Sequence, residues 1–103
     1  MPSSEAYLNF ISDQLSGLDD VTYRKMMGEY IIYYRGRIVG GIYDDRLLVK
    51  PVKSAILMIN DIVYDVPYEG AKEMILIDEV DDKEFLEKLF NSMYEDLPST
   101  KIK

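Results

Sequence analysis

The fold is decided by residues 21–50, VTYRKMMGEYIIYYRGRIVGGIYDDRLLVK. β-Branched and aromatic side chains dominate this stretch, and turn-forming residues interrupt it at short intervals. Residues 21–27 read as a strand, and Gly28 marks a turn or bulge. Residues 29–34 form a second strand. Arg35-Gly36 is a compact turn, because glycine accepts a positive φ that other residues resist. Residues 37–43 return, Asp44-Asp45 is the next turn, and residues 46–50 form a further arm. Connections this short require antiparallel neighbours, so the stretch is a β-meander. Gly40-Gly41 inside a strand signals a bulge or a close approach. A helix packed tightly above the sheet is the expected cause, with a partner or ligand there as the alternative.

Working outward, the spacing predicts a helix over 4–16. Ser3 is its expected cap, Glu5 sits in the first turn, and Ala6, Tyr7, Phe10, Ile11 and Leu15 form its stripe. Gly17 is the expected stop. Beyond the meander, Pro51 opens a second helix. Val52, Ala55, Ile56 and Ile59 share a face that Leu57 and Met58 widen, so this helix is expected to be well buried until Asn60-Asp61 ends it. Residues 62–72 read as irregular, with Ile62, Val63, Tyr64 and Val66 seeking burial and Pro67 and Gly70 breaking regular pairing. Within 73–78, Met74-Ile75-Leu76-Ile77 is a short buried strand. Asp81-Asp82-Lys83-Glu84 is a capping-box variant. Phe85, Leu86, Leu89, Phe90, Met93 and Leu97 form the stripe of the last helix, which Pro98 follows. Residues 99–103 read as a frayed tail. The order α, three or four β, α, β, α predicts an α+β domain over 1–103, an antiparallel sheet with helices against one face.

Composition narrows the chemistry. The 103 residues include no Cys, His or Trp. Disulfides, thiolate nucleophiles, imidazole bases and Cys or His metal ligands are therefore excluded. A cysteine-free chain suits a reducing cytoplasm. The N-terminus shows neither a basic start nor an apolar run, so no signal peptide is expected, and residues 55–59 are too short an apolar stretch to span a bilayer. Net charge is −7, which argues against unaided nucleic-acid binding. The charge is uneven: residues 24–53 hold seven bases and three acids, whereas residues 54–103 hold 12 acids and five bases.

The adjacent pairs Asp19-Asp20, Asp44-Asp45 and Asp81-Asp82 fall at expected turns or caps. Neighbouring side chains point apart, so none is a ready acid–base dyad. Calcium-loop and phosphate-loop patterns are absent. Nine tyrosines against three phenylalanines is the stronger bias, and tyrosines cluster with arginines in the meander. Alternation sends Tyr30, Ile32 and Tyr34 to one face and Ile31 and Tyr33 to the other. Tyrosine and arginine are enriched at protein-interface hot spots.

At residues 24–42 the chain resembles the signature region of the TfoX/Sxy N-terminal-domain family: a Met-aromatic-Gly step, a tyrosine-bearing strand, a glycine turn and a returning apolar strand. Met27 stands where the family usually has Phe, and Glu29 where it often has Gly. Residues 45–50 resemble the family's next strand, which ends in Lys, and Val66-Pro67-Tyr68-Glu69 its Pro-aromatic step. The likeness extends over roughly residues 5–97. It implies a fold similar to that of secretion chaperones. It also implies a bacterial, cytoplasmic, competence-regulator-like role through protein contacts, in a stand-alone member without the C-terminal domain of the longer regulators.

The expectation is thus a non-enzymatic interaction module with no cofactor and no metal. Tyr30, Tyr33, Tyr34, Arg35, Arg37 and Arg46 are the candidate partner-binding residues. Neither nucleic acid nor membrane is expected as a direct partner. A homodimer through sheet edges or helices is a second reading. A small-molecule-binding or enzymatic domain with a Tyr/Arg/carboxylate pocket is the third.

Overall fold

The computed structural model describes residues 4–98. The elements are α1 (Glu5–Gln14), β1 (Val21–Met26), β2 (Glu29–Tyr34), β3 (Arg37–Ile42), β4 (Leu47–Val49), α2 (Lys53–Met58), β5 (Tyr64–Asp65), β6 (Met74–Ile77) and α3 (Lys83–Tyr94). All six strands belong to one antiparallel sheet in the order β1-β2-β3-β4-β6-β5. The α+β class and the meander hold, and the two-residue β5 adds a strand within the segment read as irregular. The expected cap Ser3 and the tail 99–103 lie outside the described residues.

Three hairpins build the meander, and each is closed by two residues at positive φ. These are Met27-Gly28 (φ 53 and 85), Arg35-Gly36 (52 and 83) and Asp44-Asp45 (53 and 56). Paired left-handed residues are the mark of the type I′ turn, whose twist matches that of the flanking strands. These turns set the register: Met26 faces Glu29, and Tyr34 faces Arg37. At the third, Tyr43 and Arg46 exchange both backbone hydrogen bonds, at 2.9 and 3.0 Å.

That register sorts the side chains as alternation predicts. Tyr30, Ile32 and Tyr34 are buried, while Glu29, Ile31 and Tyr33 on the opposite face are half-buried. All three helices lie on the buried face. Ile11 and Leu15, Ala55, and Leu86, Leu89, Phe90 and Met93 join the strand residues in one apolar core. Tyr34 packs 6.1 Å from Phe90 and edge-on to Tyr94 at 5.7 Å. Its hydroxyl donates to Asn91 Oδ1 at 2.6 Å, which satisfies the one polar atom of this buried ring.

The glycine pair answers to the sheet, not to a helix. Ile32 faces Gly40 but Tyr33 faces Ile38, so Val39 is an extra residue turned into the core. This is a β-bulge. A Cβ on Gly40 would stand 2.0 Å from Leu48 O, and one on Gly41 would stand 2.6 Å from Tyr30 O. The neighbouring strands β4 and β2 therefore supply the close approach that was expected from a helix.

Other local expectations shift for physical reasons. Ser4 caps α1, its hydroxyl accepting from Tyr7 N–H at 3.2 Å. Gly17 is not left-handed; the chain leaves α1 through successive turns, Ser16 N–H to Asp13 O and Leu18 N–H to Leu15 O. Asp82 caps α3 by accepting from Phe85 N–H at 3.1 Å. Position three of that helix is thus Phe85, and no reciprocal carboxylate completes a capping box. The second helix is less buried than expected. Ala55 is buried, but Ile56 is exposed and Leu57 is 75% exposed. A six-residue helix offers one narrow side, held to the end of α3 by Ser54 N–H donating to Asp96 Oδ2 at 3.0 Å. Val63, Tyr64 and Val66 are exposed, because β5 is the last strand of the sheet.

The two kinds of glycine separate on substitution. A Cβ added at Gly36 would meet nothing within 4 Å, so Gly36→Ala costs about 1 kcal/mol, the left-handed penalty alone. Gly40→Ala forces β3 from β4 and costs about 3 kcal/mol or more. Urea unfolding of the two variants measures the difference, and equal losses would remove the close-approach explanation.

Candidate functional site

The six candidate residues occupy separate places. Tyr30 (6% exposed) and Tyr34 (1%) lie under the helices and offer no surface to a partner. Tyr33 is half-buried on the opposite, outer face. Arg35, in the turn, holds its guanidinium 5.3 Å from the Tyr34 ring and 5.4 Å from Tyr94. Arg37 lies 4.4 Å over the Tyr94 ring, and its Nη1 donates to Tyr94 O at 2.9 Å and Leu97 O at 3.3 Å. A cation that satisfies the last carbonyls of a helix complements the negative end of its dipole, so Arg37 holds α3 against the sheet. Arg46 lies at the other end of the meander. A single Tyr/Arg patch is therefore not assembled.

What the outer face does assemble is an apolar groove. Met26, Met27, Glu29, Ile31, Tyr43 and Tyr68 line one part, of about 550 Å³. A second part, of about 730 Å³, continues past Ile31, Ile38 and Tyr43 to Lys50 and Pro51. Its far wall is the segment 66–73 that joins β5 to β6. Register places Leu48 on this outer face opposite Gly41 and Leu76, yet Leu48 is fully buried, and Pro67 is buried too. The outer face is thus covered towards β4 and β6 and open over β1, β2 and β3. Tyr68 stands at the boundary with its ring 6.3 Å from Tyr43. Burial pushes the Tyr43 phenol up, and the neighbouring Tyr68 and Glu29 add to the effect. It stays protonated and neutral at physiological pH.

Arg46 fastens that segment. Its Nη1 pairs with Asp65 Oδ2 and reaches Val66 O at 3.4 Å, and its Nε donates to Tyr43 O at 3.1 Å. The hydrogen bond from Arg46 holds the Asp65 carboxyl below the ordinary carboxylate range, and the Val66 N–H helps. The sequence offered no sign of this pair, because its members lie 19 positions apart. The remaining acidic pairs do structural work at turns and caps. Asp20, Asp44 and Asp45 take left-handed turn conformations. Asp45 also accepts from Ser4 N–H at 2.9 Å, tying the start of α1 to the β3–β4 turn. Among the described residues no three His, Cys, Asp or Glu side chains are grouped to hold a metal ion, and no helix is long and apolar enough to cross a membrane.

The Arg46–Asp65 contact carries a pH signature. The folded pKa of Asp65 lies below its unfolded value, so the contact contributes fully above the unfolded pKa and fades as pH falls through the folded one. Hydrogen exchange of the 66–73 amides, corrected for intrinsic rate, therefore accelerates below about pH 4. In Arg46→Met it is fast at every pH. Identical profiles for the two proteins would show that this pair does not hold the segment.

Comparison with known proteins places the sequence in a family. Residues 13–73 match the TfoX N-terminal domain, a span that runs from α1 through the meander to the start of β6. A small protein of Spirochaeta aurantia, described as an uncharacterized 12.7 kDa protein in the trpE 5′ region, is 31% identical over 80 residues, covering 78% of this chain and 70% of that protein. No solved structure matches. The match spans the three tight hairpins, the bulge and the overlying 66–73 segment, and on that basis the chain belongs to the TfoX N-terminal domain family.

Proposed function

We infer that this chain is a non-catalytic protein-interaction module that receives a partner on the open outer face of its sheet. Met27 carries the reading. The residue is 97% exposed at φ 53, in a turn position that Asn, Asp or Gly fills at lower cost. An apolar residue placed there is unfavourable twice, once through solvation and once through backbone strain. Such local conflict is expected where a surface works. Met26 and the 64%-exposed Tyr68 extend the same surface around the groove. Methionine and tyrosine adapt to and anchor partners at little entropic cost.

Family membership supports a regulatory role linked to competence, exercised through protein contacts. The acidic, cysteine-free composition supports work in a reducing cytoplasm. Groove volume alone favours the small-molecule reading. The groove is open over β1, β2 and β3, whereas small-molecule sites enclose most of the ligand's surface.

Met27→Asn separates folding from function. The substitution relieves the left-handed strain and removes the exposed thioether, so stability to urea rises by about 0.5–1 kcal/mol. Affinity for a partner purified with the tagged chain from its native cell falls at least about tenfold, measured by calorimetry, and Tyr68→Ala adds to the loss. Unchanged affinity in the double variant would overturn the reading.

A further inference from the structure

The free edge of the sheet has a chemistry distinct from the groove. β1 is paired with β2 on one side, and its other side is the end of the sheet. Arg35 N–H donates to Asp20 O at 2.9 Å, which makes Asp20 and Arg35 a hydrogen-bonded pair. Antiparallel ladders alternate from such a pair. Thr22, Arg24 and Met26 therefore direct their backbone groups to β2, and Val21, Tyr23 and Lys25 direct theirs off the sheet. Three N–H donors and three C=O acceptors along one strand form a template for an added strand.

The side chains select what is added. Arg24 and Lys25 are both exposed and make no ion pair with a described residue. Their cross-strand neighbours, Ile31 and Tyr30, are uncharged. One cation thus flanks the edge on each face, in a chain of net charge −7. Asp19 and Asp20 precede the strand and Glu29 lies across the turn, so the basic strip is bounded by acids. A second copy is a weaker occupant: pairing β1 with β1 antiparallel sets Arg24 opposite Arg24, Thr22 or Asp20 according to register, and Asp20 stands outside the strand at positive φ. An acidic strand meets the same cations favourably.

We propose that the β1 edge takes an extended, acidic segment of a partner protein as a seventh strand, its carboxylates set against Arg24 and Lys25. The proposal rests on the protein-interaction reading and specifies the partner. Main-chain hydrogen bonds to Val21, Tyr23 and Lys25 supply the affinity, and the two cations set the register. Asp19 and Asp20 repel carboxylates at the other end. At the turn end, an apolar side chain of the incoming strand meets Met26 and Met27.

The test titrates the full chain, labelled with ¹⁵N, with a ten-residue peptide of alternating Glu and Val and with its Lys–Val counterpart. The Glu peptide slows exchange of the Val21, Tyr23 and Lys25 amides at least about tenfold and binds at least about tenfold more tightly than the Lys peptide. Raising salt from about 50 to about 300 mM weakens it. The double charge reversal R24E/K25E, at two exposed positions, inverts the peptide preference without changing the melting temperature. Unaltered edge amides, or equal binding of the two peptides, would overturn the proposal. So would tighter binding of a single-stranded oligonucleotide at the same amides, or a sedimenting dimer that R24E dissolves. If the edge amides do not respond while Met27→Asn still weakens partner capture, the edge proposal falls and the groove stands. If the edge responds and Met27→Asn changes nothing, the edge stands alone.

Discussion

The register imposed by three two-residue turns governs everything else in this molecule. Each turn holds both its residues at positive φ, a conformation that costs a non-glycine residue about 1–2 kcal/mol. The strain is tolerated because only this twist lets consecutive strands pair without splaying. Once the turns are set, the parity of every side chain between Val21 and Val49 follows, apart from the one-residue correction at Val39. A slip of one position would exchange Tyr30, Ile32 and Tyr34 for Ile31 and Tyr33 beneath the helices. The core would then lose the ring that packs against Phe90 and Tyr94.

The basic run through the middle of the chain resolves into separate tasks. Arg37 terminates α3, Arg35 lies against two tyrosine rings, and Arg46 fastens the segment beyond β5. Each cation is matched to a carbonyl, a ring or a carboxylate that is remote in sequence. Among the described residues, Arg24 and Lys25 are the two in the meander strands that meet no such group. The acidic pairs divide similarly between left-handed turns, the tether to Ser4 and the cap of α3. A charge pattern that resembles a binding signature along the chain thus serves mostly to join elements in space.

Turns, strands and the stripe of α3 were legible because each depends on residues within a few positions of one another. Gly28, Gly36 and Asp44-Asp45 declared the hairpins, and Leu86, Leu89, Phe90 and Met93 declared the helix. Alternation also divided the tyrosines correctly between two faces. It could not say which face the helices cover, since tyrosine suits both a core with a polar outlet and a half-wet surface. Tyr30 and Tyr34 were consequently as plausible on the surface as Tyr33. The groove escaped notice because its walls, Met26-Met27, Ile31, Tyr43 and Tyr68, come from four separate stretches of chain. Exposure of Leu57, Val63 and Tyr64 ran against their apolarity for a related reason. Burial needs a covering element, and a short helix and a terminal strand have little to cover them.

The segment between β5 and β6 reaches over the sheet, held by Arg46 at one end and by the buried Pro67, and the ladder beneath it pairs without it. Changing the length of such a connection alters closure entropy only slowly. Insertions or deletions at its exposed residues 68–70 would therefore reshape the rim of the cleft while leaving the scaffold's folding nearly untouched. The architecture separates an evolvable brim from a fixed frame, and it offers protein engineers a site at which recognition can be retargeted by loop grafting alone.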